Sequence, residues 1–96
     1  KDRMSITHEG DALRLEGAVT MATVPALLVQ AREACDAGVC ALDFSGTTEV
    51  DSAAVAFALE LRRLTSTNGS TLRLRNLPDG LQKLIALYGV EELLGV

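Results

Sequence analysis

The chain has 96 residues, which allows one domain, and its composition is 48% hydrophobic and 23% charged, as in ordinary globular domains. Three aromatic residues and a net charge of −4 provide neither stacking platforms nor a basic patch, so we expect no nucleic-acid partner. The longest apolar run, residues 53–59, is far shorter than a membrane span of about 18 residues, and the polar N-terminal segment shows no signal peptide.

The first part of the chain predicts two strands and a helix. Residues 4–8 form a first strand, and residues 12–16 alternate apolar and polar side chains, which is typical of a strand with one solvent face. In the next helix, Thr23 is the expected cap, Pro25 lies in the first turn and Gly38 ends it. Its apolar residues recur at helical spacing: Leu27, Leu28, Ala31, Ala34 and Cys35.

The middle of the chain predicts a central strand, a second helix and another strand. Residues 39–44 are nearly all apolar, as expected of a strand buried on both faces. Asp51 or Ser52 begins the second helix, which we expect to run to about Thr67. Residues 72–75 alternate leucine and arginine and predict a half-exposed strand.

The C-terminal segment predicts a third helix. It begins at residues 77–79, where Asp79 and Gln82 have the spacing of a capping box, and it ends at Gly89. Its expected apolar stripe consists of Leu81, Leu84, Ile85 and Tyr88. Leu93 and Leu94 are expected to cover the end of the sheet.

The order β-β-α-β-α-β-α predicts a small α/β domain with a mixed, mostly parallel sheet and helices mainly on one face. We expect residues 4–96 to form this single domain and residues 1–3 to be an addition ahead of a natural start at Met4. Cys35 and Cys40 have no C-x-x-C spacing and no nearby histidine, so we expect two reduced, largely buried thiols.

Catalysis has little support in the sequence. His8 is the only histidine, and no nucleophile, nucleotide-binding or metal-ligand motif accompanies it, so we expect no enzyme, cofactor or metal site. Asp43 and Asp51 are conceivable as an acid pair. A small hydrolase remains a hypothesis only if one deep pocket joins them to Ser52.

The second helix carries two apolar stripes. At 100° per residue one stripe should pack on the sheet: Ala54, Phe57, Ala58, Leu61 and Leu64. The other lies on roughly the opposite side: Ser52, Val55, Ala56, Leu59 and Arg63. We therefore predict that Val55 and Leu59 are exposed and that this stripe binds a partner protein, in preference to its being scattered surface residues. The rim of the predicted surface consists of Glu49, Asp51, Arg62 and Arg63, and Thr47 completes the set.

Three short motifs in order resemble the STAS domain, the fold of anti-sigma-factor antagonists and of sulfate-transporter tails. They are a strand ending in glycine at residues 13–17, an Asp-x-Ser at 43–45 and the Val-Asp-Ser entry to the second helix at 50–52. The antagonists typically read Asp-Ser-Ser-Gly with the first serine phosphorylated. Asp51 and Ser52 match that pattern, whereas the alanines at 53 and 54 do not.

The C-terminal pattern Leu-Pro-Asp-x-Leu with Leu-Tyr-Gly-Val and Leu-Leu is more similar to the MlaB group of STAS domains. These are small subunits of the Mla phospholipid ABC transporter of Gram-negative bacteria. The resemblance implies a non-catalytic cytoplasmic subunit that binds and supports a MlaF-like ATPase at the inner membrane, which helps to maintain outer-membrane lipid asymmetry. The alternative that it implies is an anti-sigma-factor antagonist regulated by phosphorylation at Ser52.

Overall fold

A computed structural model describes residues 4–96, and the expectation for residues 1–3 lies outside the described residues. The chain forms β1 (Met4–Glu9), β2 (Ala12–Val19), α1 (Val24–Asp36), β3 (Ala41–Val50), α2 (Ser52–Thr67), β4 (Arg73–Arg75), α3 (Asp79–Tyr88) and α4 (Glu91–Leu94). The predicted element order is confirmed, with one short helix added at the end. Within residues 4–96, no helix combines the length and apolarity that crossing a membrane requires.

The four strands form one mixed sheet in the order β1-β2-β3-β4. β1 and β2 are antiparallel, as expected for a hairpin, whereas β2, β3 and β4 run parallel because a helix crosses over between each pair. The inner face of the sheet contributes leucines and Phe44 to the buried core. The other face carries a polar network in which Arg14 Nε donates to Ser45 Oγ and Arg73 Nη2 to Asp11 Oδ2. The predicted one-sided cover is therefore confirmed.

β2 and β3 are both longer than their hydrophobic patterns indicated. β2 continues to Val19 and β3 to Val50, because the residues after the apolar segments keep pairing across the ladder, with Gly17 opposite Thr47. The close approach of the two strands requires a glycine at position 46. A Cβ there would lie 2.7 Å from Glu16 Cγ and 2.9 Å from the carbonyl oxygen of Leu15. The segment 45–50 is therefore a strand rather than the expected loop.

Helix boundaries follow the predicted signals with two corrections. Gly89 ends α3 in the left-handed conformation, with φ at +67°, as expected for a glycine at this position. The predicted capping box is wrong, because Pro78 is the cap residue and Asp79 already lies in the first turn. Gln82 instead donates its side-chain amide to the carbonyl of Leu77. Tyr88 is 51% exposed and does not complete the apolar stripe, since the helix ends there. Of the two leucines expected to cover the end of the sheet, Leu94 is buried, but Leu93 is 64% exposed, so that expectation is wrong for Leu93.

The two cysteines are free and differ in burial. Cys35 is buried on α1, and burial, followed by the nearby Asp36, raises the pKa of its thiol. Cys40 directly precedes β3 and is only half-buried, with its Sγ donating to Asp11 Oδ2 at 3.5 Å, so the expectation that both thiols are largely buried is met fully only by Cys35. Because the thiolate is the reactive form, we expect a thiol reagent to modify Cys40 first under native conditions. Mass spectrometry of the singly labelled chain checks this order, and faster labelling of Cys35 would contradict the packing.

Candidate functional site

The carboxyl ends of β2 and β3 bring the starts of α1 and α2 together. Asp51 follows β3 and caps α2, with Oδ1 accepting from the Ala53 N–H at 2.8 Å. Its second oxygen, Oδ2, accepts from the Met21 N–H at 3.0 Å, so one carboxylate joins the β2–α1 loop to the start of α2. Ser52 is the first residue of α2 and is exposed. This corner is where the predicted partner-binding residues begin.

The structure corrects the predicted second stripe of α2. Phe57 and Leu61 are buried as expected, whereas Leu64 is only half-buried. Val55 is only 4% exposed, and Leu59 is half-buried. Their predicted exposure is therefore wrong for Val55 and only partly right for Leu59. The reason is tertiary, because α3 and α4 pack against α2 and place Val55 in the same buried cluster as Leu81. Val55 is thus a core residue and cannot contact a partner directly.

Some of the predicted rim residues are exposed, whereas others are shielded or make contacts within the chain. Glu49 and Arg63 are exposed. Arg62 is half-buried and donates from Nη1 to the carbonyl of Leu72 at 3.2 Å, so it ties α2 to the segment before β4. Thr47 has its Oγ1 shielded from solvent and without a hydrogen-bond partner among the described residues. Arg62 and Thr47 are therefore not displayed to a partner.

An exposed apolar stripe on α1 lies beside α2. Pro25, Val29 and Arg32 are spaced i, i+4 and i+7 on α1, and Arg32 Nη2 donates to Glu60 Oε2 on α2 at 3.1 Å. This contact places Arg32, at the C-terminal end of the stripe, on the side of α1 that borders α2. On α2, Ala56 lies one turn before Glu60 and is exposed.

We call the exposed residues between the two cross-links the α1–α2 surface: Met21, Pro25, Val29, Ser52 and Ala56. The Asp51–Met21 hydrogen bond closes it at one end and the Arg32–Glu60 ion pair at the other. Met21 is 74% exposed and Val29 60% exposed, and they are two of six large apolar side chains exposed among the described residues. The other four lie near the C-terminus, at Leu87, Tyr88, Leu93 and Val96. The sequence predicts α1 itself but not its exposed stripe, although the apolar run at residues 24–29 is typical of a helix that is apolar on more than one face.

Glu60 accepts from two arginines at the edge of this surface. Arg63 donates to both of its oxygens, at 3.1 and 2.7 Å, and Arg32 donates to Oε2. The hydrogen bonds from Arg63, followed by the one from Arg32, lower the pKa of Glu60 from 4.5 to about 2. The cluster links α1 to α2 on the side facing solvent.

We expect this cluster to stabilise the domain only while Glu60 is ionised. Because the folded-state pKa lies below the unfolded one, its contribution is complete above pH 4.5 and is lost as the pH falls toward 2. Urea unfolding of the wild-type chain and Glu60→Gln across that range checks the sign. The difference in unfolding midpoint should shrink as the pH falls, and a difference that grows would contradict it.

The acid pair of the hydrolase hypothesis is not assembled. Asp43 lies within β3 and Asp51 directly after it. Residues 43–50 run alongside residues 14–19 of β2, so roughly 17 Å of strand separates Asp43 from Val50. Asp43 Oδ1 accepts from Asn76 Nδ2 and from the Ser45 N–H, and the hydrogen bond from Asn76 is the main cause that lowers the pKa of Asp43. In the described part of the chain, no group of three or more His, Cys, Asp or Glu side chains is placed to hold a metal ion. Asp43 and Asp51 therefore do not share one site.

Comparison with known proteins agrees with this fold and with the motifs. The solved structure of the anti-sigma factor antagonist SpoIIAA in its unphosphorylated form matches with a TM-score of 0.73, over 95% of this chain and 84% of that chain. At 13% sequence identity the likeness shows the fold. No curated protein matches the sequence. A family model described as "Mlab, STAS domain" matches residues 3–95, and the chain therefore belongs to the STAS-domain family of MlaB type.

Proposed function

We propose that this chain is a non-catalytic subunit that binds and supports the ATPase of a phospholipid-trafficking ABC transporter. STAS domains are generally regulatory or interaction domains that bind partner proteins. The observation that carries the proposal is the match of the family model across residues 3–95, since that family is named after MlaB. In this role the chain works in the cytoplasm, at the inner membrane when it is bound to the transporter, and contributes to lipid asymmetry of the outer membrane.

The α1–α2 surface supports binding rather than chemistry. Its exposed apolar side chains supply contact area that loses water on docking, and the Ser52 hydroxyl adds a hydrogen-bonding group between them. Glu49 and Arg63 provide a charged rim beside it. Of the residues first expected to bind the partner, we retain Glu49, Ser52, Ala56 and Arg63, with half-exposed Leu59 at the edge. Asp51 acts through the loop that it holds.

Co-purification with the transporter ATPase tests this function. The ATPase is expressed with and without the chain, and its ATP hydrolysis is measured per mole of ATPase. We expect a stable complex and a higher rate in it, while the chain alone hydrolyses no ATP. An ATPase that neither retains the chain nor changes its rate with a large molar excess of it would refute the proposal.

The second candidate function is an anti-sigma-factor antagonist switched by phosphorylation. The likeness to SpoIIAA favours it, as does the exposure of Ser52 at the first residue of α2, where helix amides favour an anion. Against it, alanines stand at positions 53 and 54, where the antagonists read serine and glycine. Incubation with the anti-sigma-factor kinase and measurement of intact mass separate the two functions. A gain of one phosphate, lost in Ser52→Ala, would support the antagonist.

A further inference from the structure

We propose that Asp51 is a positioning residue that presents Met21 to the partner. This inference rests on the proposed function, because it concerns the surface that binds the ATPase. The Asp51 carboxylate fixes the β2–α1 loop against the start of α2, and the Met21 side chain then occupies an apolar recess of the ATPase next to the contact made by Ser52. Asp51 itself is not a contact residue in this arrangement.

The geometry uses both oxygens of the carboxylate. Oδ1 accepts from the Ala53 N–H at 2.8 Å and caps α2. A single acceptor oxygen is enough for this capping hydrogen bond. Oδ2 accepts from the Met21 N–H at 3.0 Å, a contact between residues thirty positions apart that helix capping does not need. A carboxylate at this position therefore has a second task, which is to hold the loop.

The loop itself is built to keep Met21 outward. The residues on both sides of the exposed pair 21–22 are buried, with Thr20 6% and Thr23 7% exposed. Thr23 Oγ1 accepts from the Thr20 N–H and donates to the carbonyl of Ala18, both at 2.9 Å. Met21 is nevertheless 74% exposed. A large apolar side chain held outward by a fixed backbone loses little conformational entropy on binding, which favours a role as an anchor.

The Met21 side chain fits an apolar recess of the ATPase and not a charged one. Methionine is unbranched and polarisable and fills irregular apolar gaps. Its neighbours on the α1–α2 surface, Pro25 and Val29, are apolar as well. The ATPase should therefore present a hydrophobic recess at this corner.

Amide exchange in the free chain tests the positioning without any partner. Asp51→Ser keeps a helix-capping oxygen but has no second acceptor for the Met21 N–H. Measured by NMR, the Met21 amide should exchange at least about tenfold faster in Asp51→Ser, since a hydrogen bond to a carboxylate is lost. The Leu27 amide, bonded to the carbonyl of Thr23 inside α1, serves as the control and should be unchanged. Equal exchange of Met21 in both chains would overturn the proposal.

Binding to the ATPase then shows whether the positioning acts through Met21. Met21→Ala should weaken binding about tenfold through loss of apolar contact. If Asp51 acts through Met21, the double variant with Asp51→Ser should bind no more weakly than the weaker single variant. The matched pair Asp51→Ser and Val29→Ala should instead show additive losses.

The outcomes separate this inference from the proposed function. Additive losses for Asp51→Ser and Met21→Ala, in a chain that still binds the ATPase, would overturn the role of Asp51 and leave the proposed function intact. Absence of binding by the wild-type chain would refute the proposed function, while the amide-exchange result would still decide whether Asp51 holds Met21. If Asp51→Ser fails to fold, Asp51→Asn, which keeps one carbonyl acceptor, takes its place.

Discussion

Val55→Lys should strongly destabilise the domain, whereas Ala56→Lys should leave it about as stable as the wild type. Val55 is 4% exposed within the core that α2 shares with α3, and no described carboxylate lies in that cluster. A buried unpaired ammonium costs several kcal/mol, and we expect Val55→Lys to lose about 4 kcal/mol or more. That is a large part of the ~5–15 kcal/mol that stabilises a domain of this kind.

The neighbouring position provides the matched control. Ala56 is exposed one residue along the same helix, and lysine is a good helix former, so Ala56→Lys should change stability by less than about 0.5 kcal/mol. Urea unfolding followed by circular dichroism measures both variants. A Val55→Lys chain that unfolds at the wild-type midpoint would put Val55 back at the surface and restore the stripe first predicted for α2.

Glutamate at position 29 should abolish partner binding, whereas glutamate at position 30 should not. Val29 is 60% exposed on α1, about one turn before Arg32, and belongs to the α1–α2 surface. A carboxylate buried there without a partner opposes docking, and we expect at least about a 100-fold weaker complex with the ATPase. Isothermal titration calorimetry with the purified ATPase measures the loss.

Gln30 is the control for charge and for helix stability. It is exposed on α1 but lies about 100° around the helix from Val29, away from α2. Gln30→Glu adds the same charge one residue along and should bind within about threefold of the wild type. Equal losses for both variants would mean that net charge, rather than the α1–α2 surface, governs the association.

The order of elements could be predicted because each has its own local signal. The alternating residues of β2, the apolar start of β3 and the glycine after α3 are all read from neighbouring positions, and the structure confirms them. The lengths of β2 and β3 could not be predicted, because residues 45–50 have no apolar pattern that indicates a strand. They form a strand through pairing with a chain segment some thirty positions earlier.

The candidate site is predictable only where its residues have local signals. The start of α2 at Asp51 and Ser52 was found from capping preferences, which are local. The burial of Val55 was missed because it depends on α3 and α4, which cover one side of α2. The apolar stripe of α1 was missed because an apolar helix does not reveal which of its faces meets the sheet.

Hydrogen–deuterium exchange of the chain alone and in complex with the transporter ATPase shows whether the α1–α2 surface is the binding site. If the α1–α2 surface binds the ATPase, peptides covering residues 20–30 and 51–57 should exchange more slowly in the complex. Peptides from β1 and the open face of the sheet should be unchanged. Protection confined to β1 or the open sheet face, or no protection at saturating ATPase, would contradict the account.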